Sequence, residues 1–135
     1  MGLIDFSPEY SVGIAEMDTE HRKLIDIFNE LYDAMKQGKS KEVLDSVFSD
    51  LIQYTTTHFS DEEALLARHG YPGLNIQKEQ HQLLVQSVKD KYEKFKSGAF
   101  MISIELINFL RDWLTNHIMK SDRLYGQFLN EKGVK

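Results

Sequence analysis

The sequence has no cysteine, which excludes disulfides, thiolate zinc sites, cysteine-held iron–sulfur clusters and covalent c-type haem. Proline and glycine are sparse, two and eight among 135 residues, and they collect where helical periodicity stops. No apolar run approaches the ~20 residues needed to span a bilayer. The opening stretch MGLIDFSPEYSVGIAEM lacks the basic start and apolar stretch of a secretory signal. Basic clusters are missing too, and with a net charge of -5 no nucleic-acid partner is expected. These absences lead to the expectation of a cytoplasmic, membrane-free monomer whose partners are small or internal. The length suits one domain over residues 1–135, able to bury a core without staples.

What is present is helical periodicity, in four segments expected at about 19–37, 40–69, 75–97 and 103–119. Asp18 or Thr19 offers an N-cap for the first, whose stripe runs from His21 through Leu24, Ile25, Phe28, Leu31, Tyr32 and Met35. The second ends at the Gly70, Tyr71, Pro72, Gly73 breaker and carries His58 and Glu62 on its apolar face. The third stripe reads Gln77, His81, Leu84, Val85, Val88, Tyr92 and Phe95, and the fourth carries Leu106 through His117. Short connections between helices of similar length imply antiparallel neighbours. The fold class is therefore all-α, an up-down-up-down antiparallel four-helix bundle. A short C-terminal helical turn, capped by Ser121 or Asp122, is expected to fray beyond Leu129.

Each helix places one histidine on its apolar stripe: His21, His58, His81 and His117. A single buried histidine is ordinarily just a hydrogen-bonded core residue. Four of them with Glu62, each unpartnered at about 1–3 kcal/mol, would consume much of a small domain's stability of roughly 5–15 kcal/mol. Convergence on a shared partner removes that objection, and imidazole with carboxylate is a metal-ligand set. His58 and Glu62, at i and i+4, share one face. Asp122 lies five residues after His117, a net rotation of ~140 degrees in a straight α-helix. Both can point inward only if the chain bends near Met119 to Ser121, and the alternative is Asp122 as a surface N-cap. His69, beside the helix terminator, reads as a dipole-favoured residue and not a ligand. Of the acidic run SDEE, only Glu62 is expected to turn inward.

Ferritin-like Glu-x-x-His pairs, H-E-x-x-H, P-loop and Rossmann patterns are all missing. The segments SVGIAEMDTEHRKL, THFSDEE, HGYPGL followed by His81, and FLRDWLTNHIMKSDRLYG together resemble the hemerythrin family, specifically single-domain bacterial hemerythrins, over nearly the whole chain. The resemblance implies two Fe ions in an oxo- or hydroxo-bridged di-iron centre inside the bundle, binding O2 reversibly for delivery, storage, scavenging or sensing. It implies that His21 and His58 hold the iron that takes O2, that His81 and His117 hold the other, and that Glu62 and Asp122 bridge. Trp113, Leu114 and Ile118 match the family's oxygen-pocket positions, a placement equally suited to ordinary core residues. A redox partner is left open.

One departure stands out. The family's third histidine on the second iron falls four residues before His81, where this chain has Gln77. A neutral amide is a weak iron ligand beside imidazole, so that position is either a Gln-oxygen contact or a water-filled vacancy. Glu79, ~200 degrees around the helix from His81, cannot substitute. Two other functions remain in view. An extra open iron position would suit a di-iron oxidase, peroxidase or NO-reactive enzyme. A metal-poor bundle would serve as a signalling or interaction module.

Overall fold

The computed structural model describes residues 4, 6–98 and 104–135. After a single 3-10 turn at Pro8–Tyr10 the chain forms α1 (Ala15–Lys36), α2 (Lys41–Arg68), α3 (Leu74–Lys96) and α4 (Ile104–Asn116). Helix α4 runs on through one π turn, His117–Asp122, into α5 (Arg123–Glu131). No strand occurs among the described residues. The result is the antiparallel four-helix bundle expected from periodicity, α4 and α5 together forming its last rod. None of these helices is long and apolar enough to cross a membrane.

Helix α1 starts at Ala15, ahead of the expected cap, because Asp18 has another task. Its carboxylate accepts hydrogen bonds from Val12 N–H at 2.8 Å and Ser11 O–H at 2.6 Å, tying the lead-in segment to the first helical turn. Ser40 caps α2 as a side-chain acceptor for Val43 N–H. At the other end Gly70, at φ +67°, takes the left-handed conformation that reverses the chain. The start of the fourth helix expected near Ser103 falls outside the described residues.

The C-terminal region departs most from expectation. Asp122 makes no side-chain cap bond. The C-terminal turn is a nine-residue helix, α5, which ends at Glu131 and has Tyr125 and Leu129 fully buried. The departure from a straight α-helix required between His117 and Asp122 is present. The chain widens into a π turn, in which i→i+5 bonding brings residues five apart onto one face. Gly126 lets α5 sit directly on the lead-in strand of chain, since a Cβ there would lie 1.9 Å from the Val12 carbonyl oxygen.

Candidate metal centre

Helix α1 supplies His21, α2 supplies His58 and Glu62, α3 supplies Gln77 and His81, and the π turn supplies His117 and Asp122 at its two ends. All seven are buried, none more than 7% exposed. His69, the remaining histidine, caps the end of α2 and is not among them.

The carboxylates divide their oxygens between two pairs of imidazoles. Glu62 Oε2 lies 3.0 Å from His21 Nε2 and 3.3 Å from His58 Nε2, while Oε1 faces His81 Nε2 at 3.4 Å. Asp122 Oδ2 is 3.1 Å from His21 Nε2, and Oδ1 is 3.1 Å from His117 Nε2. His81 Nε2 and His117 Nε2 stand 3.1 Å apart. Two donor groups result, His21 with His58, Glu62 and Asp122, and His81 with His117 and the same two carboxylates, each spanning less than 4.8 Å.

Three supporting residues were not singled out by sequence. Glu20 Oε1 accepts from His58 Nδ1 at 2.7 Å, and Glu63 Oε2 accepts from His81 Nδ1 at 2.9 Å. The expectation that only Glu62 of the SDEE run turns inward is therefore corrected: Glu63 is three-quarters buried between α2 and α3 and holds a site imidazole. Tyr125, fully buried on α5, donates from its hydroxyl to Glu62 Oε2 at 2.5 Å. The available signal was chemical. A ligating imidazole regularly presents its second nitrogen to a carboxylate, and Glu20 and Glu63 each sit beside a candidate ligand in sequence. With Nδ1–H committed outward, each Nε2 is directed at the interior.

Electrostatics follow from this crowding. Burial alone would lower the His21 pKa, but its bonds to Asp122 and Glu62 outweigh that and raise it to about 9. His58 is likewise disfavoured as a cation by burial, yet the Glu62 charge and the Glu20 bond bring it to about 10. Burial pushes Glu62 and Asp122 up, and the surrounding imidazoles more than reverse this, holding both below the usual carboxylate range.

The donor set fits a pair of iron-type cations. Gln77 Oε1 is buried without a hydrogen bond, and Glu62 Oε1 and Asp122 Oδ2 meet only imidazole nitrogens that already face another partner, His81 Nε2 and His21 Nε2. Acceptors left short of donors in this way are costly inside a protein unless a cation or a bound donor satisfies them. Spacings near 3 Å also match donors held about 2.1 Å from one octahedral ion. Four imidazoles around two shared carboxylates suit non-haem iron.

Aromatic rings wall the centre. Phe59 stacks on His81 with centroids 3.7 Å apart, and Trp113 stacks on His117 at 4.3 Å. Both rings, with Leu114, also line an adjoining apolar cavity of about 40 Å³ that reaches past Leu24, Leu84 and Val88. Ile118 is buried, but it is not part of that wall.

Comparison with known proteins gives the same picture. The family profile for the hemerythrin HHE cation binding domain matches residues 12–129. A bacteriohemerythrin of Methylococcus capsulatus is 33% identical over 122 residues, 90% of this chain and 92% of that protein. One from Pseudomonas aeruginosa is 31% identical over 125 residues, 93% of this chain and 80% of that protein. The crystal structure of a wild-type hemerythrin superposes with a TM-score of 0.88 at 31% identity, covering 93% of this chain and 96% of that one. The chain belongs to the hemerythrin family.

Proposed function

We propose that this chain, as a member of the hemerythrin family, is a non-haem di-iron protein that binds O2 reversibly. His21 and His58 hold one iron, His81 and His117 the other, and Glu62 and Asp122 are shared. The observation that carries this assignment is the division of each buried carboxylate between two imidazole pairs. The iron pair supplies the reversible electron donation that O2 binding requires and that no side chain here can provide.

The protein's own residues make that chemistry orderly. Glu20 and Glu63 fix the tautomer of His58 and His81, so that each presents a lone pair inward once its Nε2 proton is displaced. Tyr125 donates to Glu62 Oε2 and so holds that carboxylate in place. Phe59 and Trp113 cover the imidazoles, and the cavity they share with Leu114 is large enough for a diatomic molecule and too apolar to hold water well. Dry walls slow protonation and loss of electrons to solvent. Delivery, storage, scavenging and sensing all draw on this one reversible step.

Anaerobic reconstitution with ferrous iron, then iron analysis and visible spectra through cycles of O2 addition and removal, tests the assignment. An iron pair per chain and a colour change that reverses on degassing are expected. A single iron, zinc alone, or a change that never reverses would refute it.

A further inference from the structure

Gln77 is 3% exposed on α3, one turn before His81. Its Nε2 donates to Asp122 Oδ1 at 3.1 Å and to the Ser121 carbonyl at 3.3 Å. Both partners are acceptors, so the amide has a single sensible orientation, with both hydrogens committed to the π turn. Its carbonyl Oε1 is then left buried with no donor. On its half of the centre, His81 Nε2 and His117 Nε2 already face carboxylates or each other.

Without Gln77 the two halves of the centre are equal: two imidazoles and both shared carboxylates each. Four protein donors leave a six-coordinate preference incomplete on both sides. An imidazole at position 77 would fill one of those positions. A carboxamide whose hydrogens are held by Asp122 and Ser121 offers instead an acceptor for something that carries a proton.

We propose that Gln77 makes the His81/His117 half a second exchangeable position, occupied at rest by a water molecule that donates to Gln77 Oε1, while the Gln77 amide locks Asp122 in its bridging orientation. The proposal rests on the di-iron reading above. It gives the chain two replaceable ligand positions where a third histidine would leave one. Because a carbonyl lone pair favours a protic ligand over an anion, the second position binds anions less tightly than the first.

The test is azide titration of the oxidised, fully loaded protein, followed by visible spectroscopy and calorimetry, with iron measured on the same samples. Two azide steps of unequal affinity are expected in the wild-type protein. Gln77→His should keep both irons and show one step. Gln77→Leu, which removes the acceptor, should keep two steps and tighten the weaker one. A single step in wild-type protein carrying two irons overturns the proposal even if Gln77→His proves insoluble, and so does an unchanged step count in Gln77→His. Failure of the wild-type chain to hold two irons overturns the di-iron reading itself, and the iron analysis separates that result from the others.

Discussion

Glu63 Oε2 on α2 lies 2.9 Å from His81 Nδ1 on α3, so the residue after a shared carboxylate supports an imidazole of the opposite half. Position in sequence suggests a surface residue. The interface between α2 and α3 makes it part of the centre's outer frame.

That relationship sets the first prediction. Glu63→Ala should weaken metal affinity about 10–100-fold, the usual effect of removing a carboxylate behind a ligating imidazole. Glu62→Ala should be worse, losing metal from both halves, because its two oxygens face three imidazoles. Competition with a chelator of known affinity orders the variants. Equal retention in the two would remove the distinction drawn between them.

Tyr125→Phe deletes the hydroxyl that donates to Glu62 Oε2 within a fully buried contact. A hydrogen bond to a charged group contributes about 1.5–3 kcal/mol, so the urea midpoint of the metal-free variant should fall accordingly. The helical content should be retained. A midpoint within error of wild type would show that the hydroxyl is satisfied elsewhere.

The raised histidines predict a pH dependence. In the metal-free chain His21 titrates at about 9 and His58 at about 10, both above the ordinary 6.5. Their contribution to stability is fully present below pH 6.5 and is lost as pH rises through that window of about 9–10. Glu62 and Asp122, held below the usual range, contribute in the opposite sense: their share is present above the ordinary carboxylate pKa and is lost as pH falls through the depressed one. Metal must displace the protons on His21 and His58, so loading near pH 7 should release protons and tighten as pH rises. Calorimetry in buffers of different ionisation heat measures that release. Proton-neutral binding at pH 7 would contradict the assignment of charge.

Gly126→Ala inserts a methyl group 1.9 Å from the Val12 carbonyl oxygen, a backbone atom that cannot swing aside. Overpacking of this kind costs about 1–3 kcal/mol, so thermal unfolding should move down by several degrees. Since α5 also carries Tyr125, metal retention should weaken in parallel. An unshifted midpoint would mean that the lead-in segment moves freely with α5.

Much of this protein was legible in its sequence because helical periodicity and ligand chemistry are both local. The stripes containing His21, His58 with Glu62, His81 and His117 require only the 3.6-residue repeat to be placed on inner faces. Gln77 was marked in the same way, by its spacing from His81. The conflict at Asp122 was visible too, since five residues do not fit an α-helical face, but its resolution was not. Sequence required only that the chain leave the straight α-helical path, and the folded chain does so by a π turn whose rim is held by Gln77 of another helix.

What only the tertiary structure decided is how the helices are rotated and shifted against one another. That alone sends Glu62 Oε2 to His21 and Oε1 to His81, splits Asp122 between His21 and His117, and brings Glu20, Glu63 and Tyr125 into contact with the set. Periodicity specifies which side of a helix is buried. It carries no information on which atom of a neighbouring helix will lie 3 Å away, because that depends on interhelical packing of the whole core, from Phe28 and Phe48 to Ile107 and Leu129.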